Sequence, residues 1–124
     1  MTPLQYILHH KIVAILRGLN AADVIKVTTA LHEGGINIIE VTLNSNDALS
    51  LIKKLSYTFG DKMLVGAGTV LTVEDTRSAI DAGAKFLISP TLDVDIIKTA
   101  KDNLAVSIPG AYTPTEIFSA YKNG

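Results

Sequence analysis

The chain has 124 residues, 48% of them hydrophobic, which suffices for one core and leaves little room for a second domain. Lys and Arg total 11 against 12 for Asp and Glu without a basic cluster, so nucleic-acid binding is not expected. The absence of cysteine excludes a disulfide framework and a thiolate nucleophile. With no signal-peptide pattern and no membrane-length apolar run, we expect a single cytoplasmic domain over residues 1–124 that binds no membrane.

Two patterns alternate along the chain. Short, almost continuously apolar runs predict buried parallel strands. These runs lie at residues 11–16, 36–43, 62–67, 85–89 and 104–108. The segments between them show helical spacing of apolar residues, and Thr113 with Glu116 forms a capping-box sequence before the last one. The "helix, Gly, strand" unit recurs about every 20 to 25 residues, which predicts five βα units in an α/β fold, preceded by a short helix.

Two arrangements of five parallel strands fit this pattern: an open doubly wound sheet, or part of a (β/α)8 barrel. The turn after the first strand, "ILRGLN", has one glycine and is not a dinucleotide-binding fingerprint. The segment "VGAGTVL" places Gly66 and Gly68 after the third predicted strand. We interpret these glycines either as a phosphate cradle or as a tight βα turn that needs small residues.

Polar and special residues stand at the carboxyl ends of the predicted strands, where a barrel would build its active site. They are Arg17, Glu40, Thr42, Thr69, Ser89, Pro90, Pro109 and Gly110. Side chains alternate along a strand, so Glu40 and Thr42 share one face while Ile39 and Val41 face the helices. A buried carboxylate costs several kcal/mol unless it is paired or neutralised. Glu40 is therefore either an acid/base group or the partner of Arg17 in a structural ion pair.

Five motifs in order carry a resemblance to a known family: "KIVAILRG", "EGGINIIEVTLNS", "VGAGTVLTVED", "AGAKFLISP" and "IPGAYTPTE". Together, from about residue 9 onward, they resemble the class I aldolases that act on 2-keto-3-deoxy-6-phosphogluconate, its galactonate epimer or 4-hydroxy-2-oxoglutarate. The resemblance implies a TIM (β/α)8 barrel, of which this chain holds about the first five units. It also implies a homotrimer that needs no metal and no cofactor.

The reaction that the resemblance implies begins with a Schiff base between a lysine and the ketone of a phosphorylated keto acid. Retro-aldol cleavage then releases pyruvate and glyceraldehyde 3-phosphate. The family pattern assigns Glu40 as the general acid/base and Arg17 as a contact for a substrate carboxylate or phosphate. It places Thr69 and Pro90 at the pyruvate end. Thr42 and Ser89 are further candidates for substrate contact.

Two departures from the family pattern matter. Asn44 and Ser45 stand where some gluconate-type members carry an arginine, so the preference between the two sugar epimers stays open. The family's imine-forming lysine follows the sixth strand, and we expect it beyond Gly124. The lysines of residues 1–124 begin strands or lie in helical stretches, so we expect this segment alone to be inactive.

Two other functions are carried as alternatives. The first is a different phosphosugar TIM-barrel enzyme, which would need a metal-ligand set or a cluster of arginines for pyrophosphate, and the sequence has neither pattern. The second is a non-catalytic, truncated barrel that serves as an assembly or binding module. Fold alone does not separate these functions, so finding the lysine is the deciding observation.

Overall fold

The computed structural model describes residues 1–124 as a regular alternation of helices and strands. The helices are α1 (Pro3–His10), α2 (Ala21–Glu33), α3 (Ala48–Phe59), α4 (Val73–Asp81), α5 (Val94–Asp102) and α6 (Pro114–Asn123). The strands are β1 (Ala14–Leu16), β2 (Ile38–Thr42), β3 (Leu64–Gly68), β4 (Phe86–Ser89) and β5 (Val106–Pro109). None of the helices combines the length and apolar character needed to cross a bilayer.

All five predicted strands form, but each begins later than its apolar run. For β1 and β5, part of the difference comes from exposed apolar residues in the preceding loop. Ile12 and Leu104 lie before β1 and β5 and are 58% and 87% exposed. These two side chains are apolar without being part of the sheet, so hydrophobicity alone misplaces the strand starts.

The strands form one parallel sheet in the order β1-β2-β3-β4-β5, identical to their order in the chain. A doubly wound sheet requires the order to reverse, so that alternative is wrong. Parallel crossovers are right-handed, and crossovers that always step in one direction place the helices on one face of the sheet. The strand order therefore supports the barrel arrangement, in which the other face of the sheet lines the interior of the barrel.

The helix-covered face carries the main hydrophobic core. Ile39 and Val41 of β2 pack into a cluster of 19 buried residues with Leu51, Ile52 and Leu55 of α3. The cluster extends to Val24 of α2 and Ile96 of α5. The predicted alternation along β2 is confirmed, because its odd-numbered residues lie in this cluster. Glu40 and Thr42 are buried outside it.

The opposite side of the sheet, here called the site face, is built differently. Ile38 and Phe86 are fully buried there but belong to no part of the helix-side cluster. Between them stand Gly66 and Gly68 of β3, which bring no side chain at all. The site face therefore has space beside its apolar residues, and Glu40 uses that space.

Candidate active site

The carboxyl ends of the strands lie level along one edge of the sheet. Val41 pairs with Leu16, Thr42 with Gly68 and Ser89 with Pro109. Arg17, Thr69 and Pro90 directly follow three of these strand ends. The predicted gathering of polar strand-end residues at one edge is therefore present in the fold.

Glu40 lies one pleat below that edge, between Ile15 of β1 and Gly66 of β3. Its side chain is only 3% exposed. The carboxylate rests directly over Gly68, so closely that a Cβ on that glycine would overlap it. In the same way, the ring of Phe86 rests over Gly66. The two glycines are thus seats for large side chains from the neighbouring strands.

This placement corrects the interpretation of the segment "VGAGTVL". Gly66 and Gly68 lie inside β3 rather than after it, so they form neither a phosphate cradle nor a turn. Their i, i+2 spacing puts both on the site face. That spacing is the sequence signal for the role, because two glycines on one strand face leave room for side chains that cross the strand.

The turn after β3 begins at Thr69, which has a positive φ of 56°. A β-branched residue rarely adopts this left-handed conformation, which costs on the order of 1–3 kcal/mol and is typical of functional sites. The following residue, Val70, ties the turn down by donating its backbone N–H to the carbonyl of Ile88 at 3.1 Å. Thr69 is consequently held beside the strand end that seats Glu40.

Burial raises the pKa of the Glu40 carboxyl above its ordinary value, and the positive charge of Arg17 offsets part of that rise. The larger cause is the removal of the carboxylate from water, which disfavours its charged form. A carboxyl group whose pKa is raised in this way holds a proton more readily than an exposed one, which suits it to accept and return a proton.

Arg17 extends from the end of β1 with an exposed side chain. Its Nη1 donates to Oδ1 of Asn44 at 3.0 Å, in the loop after β2. The guanidinium is therefore held by a neutral amide, and it acts on Glu40 through its charge. An arginine has five N–H donors, so the guanidinium keeps further donors for an oxyanion. Sequence reasoning missed Asn44 as its partner, because no pattern links two loop residues so far apart.

The other three predicted site residues differ in their surroundings. Thr42 is fully buried, and its hydroxyl lies 2.8 Å from Oγ of Ser45. Ser89 alternates with Phe86 along β4 in a way that puts its side chain toward the helix-covered face, where its Oγ has no hydrogen-bond partner. Pro90 is exposed at the edge, and its carbonyl lies against Gly110.

The lysines of residues 1–124 are all exposed and lie away from the carboxyl edge. Lys11, Lys62 and Lys85 precede β1, β3 and β4, at the opposite edge of the sheet. The remaining lysines lie within helices: Lys26, Lys53, Lys54, Lys98, Lys101 and Lys122. None of them occupies the desolvated position beside Glu40 that an imine-forming amine needs.

Comparison with known proteins matches residues 5–124 to the family model described as "Aldolase: KDPG and KHG aldolase". The chain is 36% identical over 113 residues to a probable 2-dehydro-3-deoxy-6-phosphogalactonate aldolase of Rhizobium meliloti. That alignment covers 91% of this chain and 53% of the relative. The chain thus spans about half the length of the curated relatives it matches.

Solved structures give the same result. A native KDPGal structure superposes with a TM-score of 0.87 at 31% identity, covering 90% of this chain and 54% of that one. The KDPG aldolase of Legionella pneumophila, with pyruvate captured at low pH as a covalent carbinolamine intermediate, superposes with a TM-score of 0.84 at 30% identity and covers the same shares. The chain therefore belongs to the KDPG and KHG aldolase family.

Proposed function

We propose that this chain forms the N-terminal part of a class I aldolase that cleaves 2-keto-3-deoxy-6-phospho-sugar acids to pyruvate and glyceraldehyde 3-phosphate. The observation that carries the proposal is the buried carboxylate of Glu40, seated over Gly68 and near the charge of Arg17. Residues 1–124 would form one domain with the rest of a (β/α)8 barrel, and family resemblance supports a homotrimer.

In this proposal each side chain has a separate task. Glu40 takes the proton from the substrate hydroxyl as the carbon–carbon bond breaks and later returns a proton to the pyruvate carbon. Its raised pKa suits both transfers. Arg17 binds a carboxylate or phosphate oxygen of the substrate through its guanidinium. Thr69 and Pro90 line the pyruvate end at the strand edge, with Thr42 as a further member of the site.

The imine-forming lysine is proposed to lie beyond Gly124. Every lysine of residues 1–124 is exposed and away from the carboxyl edge. The amine that forms the imine therefore has to come from a residue outside 1–124. The carbinolamine captured in the Legionella relative is the adduct that an amine forms with the ketone of pyruvate. Relatives named for the galactonate and the gluconate substrates both match, so both epimers belong in the test. Activity on 4-hydroxy-2-oxoglutarate is a further proposal for the same site.

The test uses the protein made from its complete reading frame, incubated with pyruvate and reduced with borohydride. Intact-mass spectrometry should show one trapped pyruvate, and peptide mapping should place it on a lysine beyond Gly124. Residues 1–124 expressed alone are the matched control and should trap none. Release of pyruvate from each sugar-acid epimer, and from 4-hydroxy-2-oxoglutarate, then measures the substrate range.

Two results would count against the proposal. A complete protein that traps no pyruvate and cleaves none of these substrates has no imine mechanism, which would favour a non-catalytic module. Trapping on a lysine within residues 1–124 would contradict the assignment of the amine while retaining the aldolase reaction.

A further inference from the structure

We propose that Asn44 is a positioning residue, whose side-chain carbonyl holds the guanidinium of Arg17 at the substrate edge while leaving its positive charge unneutralised. This inference rests on the proposed function, since it concerns how the same site receives an anionic substrate. The ligand chemistry is an oxyanion, from either the carboxylate or the phosphate of the substrate.

The direct contact joins the loops that follow β1 and β2. Arg17 Nη1 donates to Asn44 Oδ1 at 3.0 Å, and both side chains are exposed. An unrestrained arginine samples many rotamers, and fixing them on binding costs conformational entropy. The bond to Asn44 restrains those rotamers before the substrate arrives, so less of that cost falls on binding.

The backbone on both sides of Arg17 is held by the same loop. Gly18, with φ of 71°, donates its N–H to Ser45 Oγ at 2.9 Å. Ser45 Oγ lies 2.8 Å from Thr42 Oγ1, which in turn lies 3.5 Å from the carbonyl of Leu16. The backbone N–H of Gly18 can only donate and the carbonyl of Leu16 can only accept. The hydroxyl of Ser45 therefore donates to Thr42, and the hydroxyl of Thr42 donates to Leu16. The residues before and after Arg17 are thereby both tied to β2 and its loop.

The chemistry of the acceptor separates a positioning role from a merely structural one. A carboxylate at position 44 would bind the guanidinium more strongly than an amide does, so a purely structural role would be served as well by aspartate. A carboxylate would also neutralise Arg17 and repel an approaching substrate anion. Only a residue whose task is to present the charge of Arg17 needs a neutral acceptor.

The experiment measures kcat and KM for cleavage of the phosphorylated sugar acid by the protein from its complete reading frame. Asn44→Ala should raise KM about three- to tenfold with kcat within about twofold, because binding that is equal in ground and transition states is lost. Asn44→Asp should raise KM by roughly a further tenfold, while its Tm stays at or above that of the Asn44→Ala variant.

Asn46 provides the matched control, because it is an exposed asparagine in the same loop. Asn46→Ala and Asn46→Asp should leave KM near the unsubstituted value. A parallel titration of pyruvate trapping identifies the anion: a weakened pyruvate response in the Asn44 variants assigns Arg17 to the carboxylate, and an unchanged response assigns it to the phosphate.

Two outcomes overturn the inference while leaving the aldolase proposal intact. One is an active protein in which neither Asn44 variant changes KM. The other is an Asn44→Asp variant that binds substrate as well as the unsubstituted protein does. A complete protein that neither traps pyruvate nor cleaves substrate refutes the proposed function and this inference together.

Discussion

On the helix-covered face, Ile39 and Val41 interlock with apolar residues of α3 in a cluster that contains no charged group. On the site face, Glu40 of the same strand is also buried, and its carboxylate lies over Gly68. One face of β2 thus gains stability from apolar burial, while the other buries a carboxylate at a cost in stability. A single strand therefore separates the two tasks by side-chain alternation, and substitutions on each face should affect different measurements.

The largest expected effect is on the site face. Glu40→Gln keeps the shape of the side chain and removes its proton transfer, so kcat should fall about 10²- to 10⁴-fold. Steady-state cleavage by the complete protein measures this loss. Glu33→Gln, at the exposed end of α2, is the control and should keep full activity. A Glu40→Gln variant with normal kcat would remove Glu40 from the mechanism.

The matching substitution on the helix-covered face is Leu55→Ala. Leu55 is fully buried in the core cluster, so the free energy of unfolding should fall by about 2–5 kcal/mol. Leu49, on the same helix, is 42% exposed, and Leu49→Ala should cost far less. Urea denaturation compares the two variants. Equal losses of unfolding free energy in the two variants would show that α3 does not pack against the sheet through the face that carries Leu55.

The two glycines of β3 allow a comparison within the site face. Gly66→Ala meets the ring of buried Phe86, which has little freedom to move, so stability should fall by about 1–3 kcal/mol. Gly68→Ala meets the flexible end of Glu40 instead. It should cost less stability but displace the carboxylate and lower kcat roughly 10- to 100-fold. Urea denaturation and steady-state kinetics measure both quantities, and the reverse pattern would contradict the assignment of the seats.

The cost of burying the carboxylate should itself depend on pH. Because the pKa of Glu40 is raised in the folded protein, the protein loses stability as pH rises through that pKa. Glu40→Gln cannot ionise, so its stability relative to the unsubstituted protein should grow from acid toward neutral pH. Urea denaturation across a pH series measures the difference, with Glu33→Gln as the reference. A difference that stays constant with pH would mean that the carboxylate is not desolvated.

The smallest effect is expected outside both faces, at the start of α5. Asp93 accepts hydrogen bonds from the N–H groups of Asp95 at 2.9 Å and Ile96 at 3.3 Å. Asp93→Ala should lower the free energy of unfolding by about 1 kcal/mol without changing kcat. Asp93→Asn retains an accepting oxygen and should be nearly neutral. Thermal unfolding of the two variants decides whether this cap contributes.

Much of the fold was predictable because the strands of a parallel sheet are marked by short, nearly continuous apolar runs. The apolar pattern alone left the choice between a doubly wound sheet and a barrel open, since strand order depends on pairing between distant segments, and the family resemblance favoured the barrel. Arg17 and Glu40 could be predicted because charged groups are conspicuous within apolar strands or directly after them. The seat at Gly68 and the Arg17–Asn44 bond could not, because they depend on the direction of individual side chains across neighbouring strands and loops.

The identity of strand order and chain order has a consequence for synthesis on the ribosome. Each strand after the first pairs with the strand synthesised immediately before it. When a new βα unit leaves the ribosome, the strand it pairs with has therefore already left the ribosome. The ribosome synthesises the chain from its N-terminus at about 5–20 residues per second, which is slow compared with local folding steps. The sheet can therefore grow strand by strand during translation, and the seat of Glu40 is complete as soon as β3 has joined β2.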